Sequence, residues 1–129
     1  SDPLQRLQII LAAIEQIDEP LLVIGSSMGG LMALLLHQAA PERIAGMLLC
    51  APALHRPAAE GLSAANLPPT RIIHGRRDSV VPIAARREFG APLLEVDDDH
   101  SLKNSLQIIV SEVGKLKRSL LISGRCSAL

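Results

Sequence analysis

Three residues of types that perform acyl transfer occur in the order Ser27, Asp78, His100. A serine hydroxyl is a weak nucleophile until a histidine takes its proton. The histidine in turn needs a carboxylate to hold its tautomer and to offset the imidazolium charge. Ser27 has the most specific setting, within Leu21-Leu22-Val23-Ile24-Gly25-Ser26-Ser27-Met28-Gly29-Gly30. The apolar run ending in a β-branched pair predicts a short strand buried on both faces. Gly25-Ser26-Ser27-Met28-Gly29 reads as a sharp turn, and Leu31 to Leu36 as the helix that follows. Strand, glycine turn and helix make up a nucleophile elbow, G-x-S-x-G, with Ser27 at its centre. So tight a turn predicts a strained serine backbone and no room for a Cβ at Gly25 or Gly29. The helix start aims free N–H groups and a positive dipole end at the space above Ser27, with the Met28 N–H as the expected oxyanion donor. A dinucleotide fingerprint would need glycine at 27, and a P-loop would need Lys-Ser/Thr where Leu31-Met32 stand. A simple strand-to-helix turn, with Ser27 as a helix cap, is the plainer alternative.

The elements that must position these residues follow from periodicity. Asp2-Pro3 opens a helix with Gln5 three residues after the cap, and Leu4, Leu7, Leu11 and Ile14 carry it to about Ile17. After the Ser27 helix, which is apolar nearly all round and stops before Pro41, Ile44 to Cys50 reads as a second strand. A short helix is expected around Ala58 to Ala65. Arg71 to His74 forms a third strand, Pro82 to Gly90 a helix, and Leu93 to Val96 a fourth strand. A last helix is expected from about Leu102 to Leu120, with Leu102, Leu106, Ile109, Val113 and Leu116 on one face. Strands alternating with helices at these distances predict an α/β fold of three layers: a parallel sheet of about four strands with helices on both faces. Ligands of such sheets gather at the carboxyl ends of the strands. Ser27 follows the first strand, Asp78 the third and His100 the fourth.

Other polar residues near these ends have duller readings. Asp78 sits in good turn sequence, Arg76-Arg77-Asp78-Ser79. Asp97, Asp98 and Asp99 adjoin His100, but neighbours on one strand end do not face its ring; they raise the local negative potential. His74 ends a strand and reads as structural. His37 and His55 read as bystanders, the latter near enough to border a pocket. Arg76 and Arg77 read as solvated loop charges.

The chain has 129 residues, 48% hydrophobic and 20% charged, which suits one globular domain with an aliphatic core, since Phe89 is its only aromatic residue. Residues 1–120 form that domain and 121–129 a tail. Thirteen basic and 13 acidic residues leave no net charge, no basic stripe and no stacking platform, which argues against nucleic acid. Cys50 and Cys126 read as free thiols of a reducing, cytoplasmic compartment. No apolar run is long enough for a membrane span, and no signal peptide is visible. Nothing in the motifs calls for a cofactor or a metal. Cys126-Ser127-Ala128-Leu129 fits a prenylation box only loosely and reads as a frayed terminus.

Over nearly all its length the chain resembles the C-terminal part of an α/β-hydrolase. Four pieces carry the resemblance: Val23 to Gly30; Pro41-Glu42-Arg43-Ile44 leading to Leu48-Leu49-Cys50-Ala51-Pro52; Ile73-His74-Gly75-Arg76-Arg77-Asp78-Ser79-Val80-Val81-Pro82; and Asp97-Asp98-Asp99-His100-Ser101-Leu102. The third is the most telling, because family members commonly place the triad acid in His-Gly-x-x-Asp-x-x-Val-Pro. Among subfamilies it is most similar to small lidless bacterial esterases. The resemblance implies Ser27 as nucleophile, His100 as base and Asp78 as orienting acid, acting on a small ester or thioester. It also implies strands before the nucleophile strand and a second oxyanion donor from a turn after one of them; neither is found upstream of Ser27. Loss of one such donor costs on the order of 10²–10³ in rate. The strand Leu21–Ile24 is then an exposed sheet edge that invites self-association. The alternative function is a truncated or inactive hydrolase-like domain acting in interaction or assembly.

Overall fold

A computed structural model describes residues 2–124 of the chain. Helix α1 (Pro3–Ile14) starts where Asp2 caps it, its carboxylate accepting the Leu4 N–H at 3.0 Å. It ends at Ile14, short of the expected Ile17, because the chain there is drawn to a cation. The Arg43 guanidinium donates to the carbonyls of Ile14, Ile17 and Glu19. Strand β1 (Leu21–Ser26) and helix α2 (Met28–Ala39) flank Ser27, and β2 (Ile44–Cys50) follows a 3₁₀ turn. Then come β3 (Thr70–Gly75), α3 (Ile83–Phe89), β4 (Leu93–Val96) and α4 (Leu106–Ile122).

The four strands are all parallel and lie in the order β1-β2-β3-β4. Alternation along β2 divides the core between the two faces. Ile44, Met47 and Leu49 pack with Leu34 and Leu36 of α2, and Leu7, Ile10, Leu11 and Ile14 of α1 close over them. Ala45, Leu48 and Cys50 face α4, meeting Leu116 and Leu120. Every position of β2 is buried, since strands flank it and helices cover both faces. Cutting Leu48 or Leu49 to alanine there should cost about 2–5 kcal/mol.

Three expectations need correction. Residues 58–65 form no helix; only a 3₁₀ turn, Pro57–Ala59, appears. Leu54, Leu62, Ala64 and Leu67 of this stretch instead tuck under the α2 side of the core, and that packing overrides local helix propensity. The last helix begins at Leu106, because Leu102 has φ 54° and cannot start a right-handed helix. Its buried face is accordingly Ile109, Val113, Leu116 and Leu120, while Leu106 is 60% exposed. This helix also takes in Leu121 and Ile122, placed in the tail by the sequence reading; Cys126 and the prenylation-like ending lie outside the described residues. No helix among the described residues is long and apolar enough to cross a membrane.

Candidate active site

Ser27 stands between β1 and α2 with φ 54° and ψ −114°, a backbone region that non-glycine residues rarely occupy. Its surroundings over-determine that strain. The Ser27 N–H donates to the Cys50 carbonyl at 2.8 Å, and its carbonyl accepts from Gly30, Leu31 and Ala53 at 3.0, 3.2 and 3.0 Å. Its side chain makes no capping hydrogen bond, so the plain capping role does not describe it. A Cβ on Gly25 would lie 2.6 Å from the Gly29 carbonyl carbon, which backbone cannot yield. The matching expectation for Gly29 fails: a Cβ there would meet nothing within 4 Å. The second crowded glycine is Gly30, whose Cβ would sit 2.9 Å from Pro52 Cβ. The crowding in the elbow is thus at Gly25, against the Gly29 carbonyl, and not at the Gly29 side-chain position. Met28 opens α2, where an N–H has no intrahelical acceptor.

Asp78 follows β3, and its two oxygens do different work. Oδ1 accepts the N–H groups of Val80 and Val81 at 2.8 and 2.7 Å, which makes the turn. Oδ2 lies 2.8 Å from His100 Nδ1. The turn reading and the acid reading are thus both met by one side chain, which is fully buried. Burial pushes the Asp78 carboxyl up, but hydrogen bonds from Val81, His100 and Val80 together hold it below the usual carboxylate value. A carboxylate only accepts, so His100 Nδ1 carries a proton, and the neutral ring keeps Nε2 as its free basic nitrogen. The His100 side chain is 25% exposed.

The His100 loop has its own anchor, and the sequence did not single it out. Among three successive aspartates, Asp98 alone is buried, at 1% exposure. Its Oδ2 accepts from Asn104 N–H (3.0 Å) and Ser105 Oγ (2.8 Å), its Oδ1 from Asp99 N–H (2.8 Å), and its carbonyl from Arg77 N–H (3.0 Å). Asp99 turns to Ser101, and exposed Asp97 pairs with Arg77 at 3.0 Å, so Arg77 is not simply solvated. His37 and His55 make no hydrogen bond to Ser27, Asp78 or His100.

The strand exits stand in line: Ser27 N–H reaches Cys50, Ala51 N–H reaches Ile73, and Arg76 N–H reaches Val96. Neighbouring strands lie about 4.8 Å apart, so about 14 Å separates the ends of β1 and β4, and the loop after β4 must carry His100 back. Asp78 and His100 are joined by a hydrogen bond; among the described residues none joins Ser27 Oγ to the His100 ring.

A family model described as serine aminopeptidase, S33 matches residues 6–68, which include the whole elbow. A protein from Xanthomonas campestris named as a hydrolase of the α/β superfamily is 29% identical, with a TM-score of 0.76 over 93% of this chain and 71% of its own. The chain has the fold of the α/β-hydrolases over its four strands. Est1E from Butyrivibrio proteoclasticus (TM-score 0.81, 17% identity, 95% of this chain and 72% of its own) shares this fold. So does a monoacylglycerol lipase from Paleococcus ferrophilus (TM-score 0.71, 16% identity, 90% and 75%). No curated protein matches the chain.

Among the described residues β1 is an edge of the sheet. Beside β1, between α1 and α2, runs a groove of about 440 Å³ lined by Ile9, Val23, Ile24, Gly29 and Met32 among others.

Proposed function

We propose that the chain is a serine hydrolase that cleaves a small ester or thioester through an acyl-Ser27 intermediate. The observation that carries this reading is the part-buried Asp78 Oδ2–His100 Nδ1 pair, which leaves Nε2 as the base, at the same sheet end as a strained Ser27. In the reaction Ser27 Oγ attacks the acyl carbon while His100 Nε2 takes its proton. The Met28 N–H donates to the developing oxyanion. His100 then returns the proton to the departing alkoxide or thiolate. Water, deprotonated by the same nitrogen, releases the acid and restores Ser27. Between β2 and β3 the chain holds only a 3₁₀ turn and coil, which suits an open site and a small substrate.

A fluorophosphonate probe tests this, since it reports an activated serine without knowledge of the substrate. Labelling should be lost in Ser27→Ala. In Asp78→Asn the fold should persist while turnover falls by as much as roughly 10⁴, because the imidazole takes the wrong tautomer. Labelling that survives in Ser27→Ala overturns the mechanism.

One observation favours a second reading, an interaction domain that self-associates through the β1 edge: Ile24 on that edge is 56% exposed beside the apolar groove. Under it, native protein would show concentration-dependent association and no labelling.

A further inference from the structure

We propose that His74 is a positioning residue for the acid of this site: its Nε2–H, bonded to the Val81 carbonyl, also stands against the same Asp78 oxygen that receives His100. The proposal rests on the hydrolase reading above for its kinetic consequence, though not for its geometry.

His74 lies near the end of β3 and is fully buried. Its Nε2 is 2.9 Å from the Val81 carbonyl oxygen and 3.3 Å from Asp78 Oδ2. Both neighbours only accept, so the ring proton must be on Nε2, in a hydrogen bond to Val81 and close to Asp78 Oδ2. Nδ1 is then a bare acceptor, and it is buried with no hydrogen-bond partner. A polar atom stranded in this way is unfavourable. Mere filling of the space is better done by leucine, so the ring is explained by what Nε2–H holds.

It holds two things. The bond to Val81 closes the turn whose N–H groups grip Asp78 Oδ1. The same N–H, 3.3 Å from Oδ2, attracts the other oxygen electrostatically. With Oδ1 fixed by Val80 and Val81 alone, the carboxylate could still swing Oδ2 out of the His100 plane. His74 stops that rotation from the core side, and His100 meets the same oxygen from the partly exposed side. The acid therefore has no freedom left when a proton arrives at the His100 ring.

Two substitutions and one measurement on unaltered protein test this. His74→Leu keeps the bulk and removes the donor; His74→Gln can return an amide N–H to the place of Nε2. The first readout is the downfield proton resonance of His100 Nδ1–H, recorded with Ser27 intact and again in Ser27→Ala. It should weaken or move upfield in His74→Leu and recover in His74→Gln. The second readout is kinetic: kcat falls by up to about 10²-fold in His74→Leu with KM little changed, and His74→Gln regains most of it. A folded His74→Leu protein whose His100 resonance and kcat match the wild type overturns the proposal. Should His74→Leu not fold, ¹⁵N shifts of the native His74 ring decide: a proton on Nδ1 overturns the proposal, and a proton on Nε2 with Nδ1 bare supports it. If the resonance responds but Ser27 never labels, the positioning role stands and the hydrolase reading fails.

Discussion

The two margins of the sheet carry the two halves of the candidate site, and they are finished differently. At the β4 margin, Glu95 lies on the edge strand itself and is held by Arg86 at 3.3 Å and by Arg87 at 2.8 and 2.7 Å. Proline precedes that strand, the strand is four residues long, and Asp98 and the Arg77–Asp97 pair tie down the loop beyond it. Charge, brevity and proline are the devices that keep an edge from pairing with another chain. At the β1 margin only a preceding proline, Pro20, is shared. Its six residues, Leu21 to Ser26, hold no charge and no proline. Ser27 N–H bonds to β2, so by strand alternation the backbone groups of Leu22, Ile24 and Ser26 point to the open side. The half that holds His100 is closed by contacts within the chain; the half that carries Ser27 is closed on one side only.

The largest effect should come from forcing a Cβ into either half. Gly25→Ala pushes against the Gly29 backbone, and Gly75→Ala would sit 2.8 Å from the Asp98 carbonyl carbon. Each should cost about 4 kcal/mol, the upper end for single substitutions, read as a lowered midpoint of thermal unfolding. The two should part in kind: Gly25→Ala abolishes probe labelling by moving Ser27, while Gly75→Ala perturbs the His100 resonances through the Asp98 loop. Equal disturbance of both readouts by both variants would erase the distinction between the margins.

Next in size is acid sensitivity of the closed half. The folded Asp78 carboxyl lies below its ordinary value, so its contribution is fully present above about pH 4–5 and is lost as pH falls through the folded value. Wild type should therefore lose more stability than Asp78→Asn between about pH 5 and pH 2. Urea unfolding at several pH values measures it. Asp97, Asp99 and Glu95 shift in the same direction, and because both proteins share them they cancel in the comparison. Parallel acid limbs for the two proteins would mean that Asp78 is not held ionised as the hydrogen bonds imply.

How far this division could be read from sequence depends on the residue. The strands and their sequential order were legible, because apolar runs punctuated by Gly25, Pro52, Gly75 and Pro92 have few other interpretations. The pairing of Asp78 with His100 was implied by the resemblance together with their places after strands, and a hydrogen bond joins the two side chains. His74 and Asp98 were not legible. A histidine at a strand end carries no mark of which atom its ring will meet, and three consecutive aspartates differ only in which one the fold turns inward. The coil of residues 60–69 was hidden for another reason: alanine-rich sequence favours helix locally, and only the needs of the core refuse it. Gly29 misled because the motif requires glycine at a position where this chain leaves open space.

A smaller effect tests the open edge. Ile24→Lys places a charge on the β1 edge at a side chain already 56% exposed, so stability should move by no more than about 0.5 kcal/mol. Concentration-dependent light scattering of the wild type should vanish in this variant. Leu94→Lys, on β4 and 36% exposed, should leave scattering unchanged. A wild type that scatters as a monomer at every concentration would show that β1 does not recruit a second copy.

A modest effect of the opposite sign is the sharpest on what lies beside β1. Gly29 sits in the first turn of α2, on the wall of the groove, and a Cβ there meets nothing within 4 Å. Alanine in a helix is favoured over glycine by about 0.5–1 kcal/mol, chiefly because glycine has more backbone freedom to lose. In the chain by itself, Gly29→Ala should therefore raise stability by about that amount, measured by urea unfolding in dilute solution. The same experiment at high concentration adds the comparison. If copies pair along β1, their chain fills the space next to Gly29, and the added methyl should weaken association while still stabilising the dilute monomer. A variant less stable than wild type even when dilute would mean that the space beside the elbow is already occupied within the chain. The difference between the two margins would then be smaller than the strand order suggests.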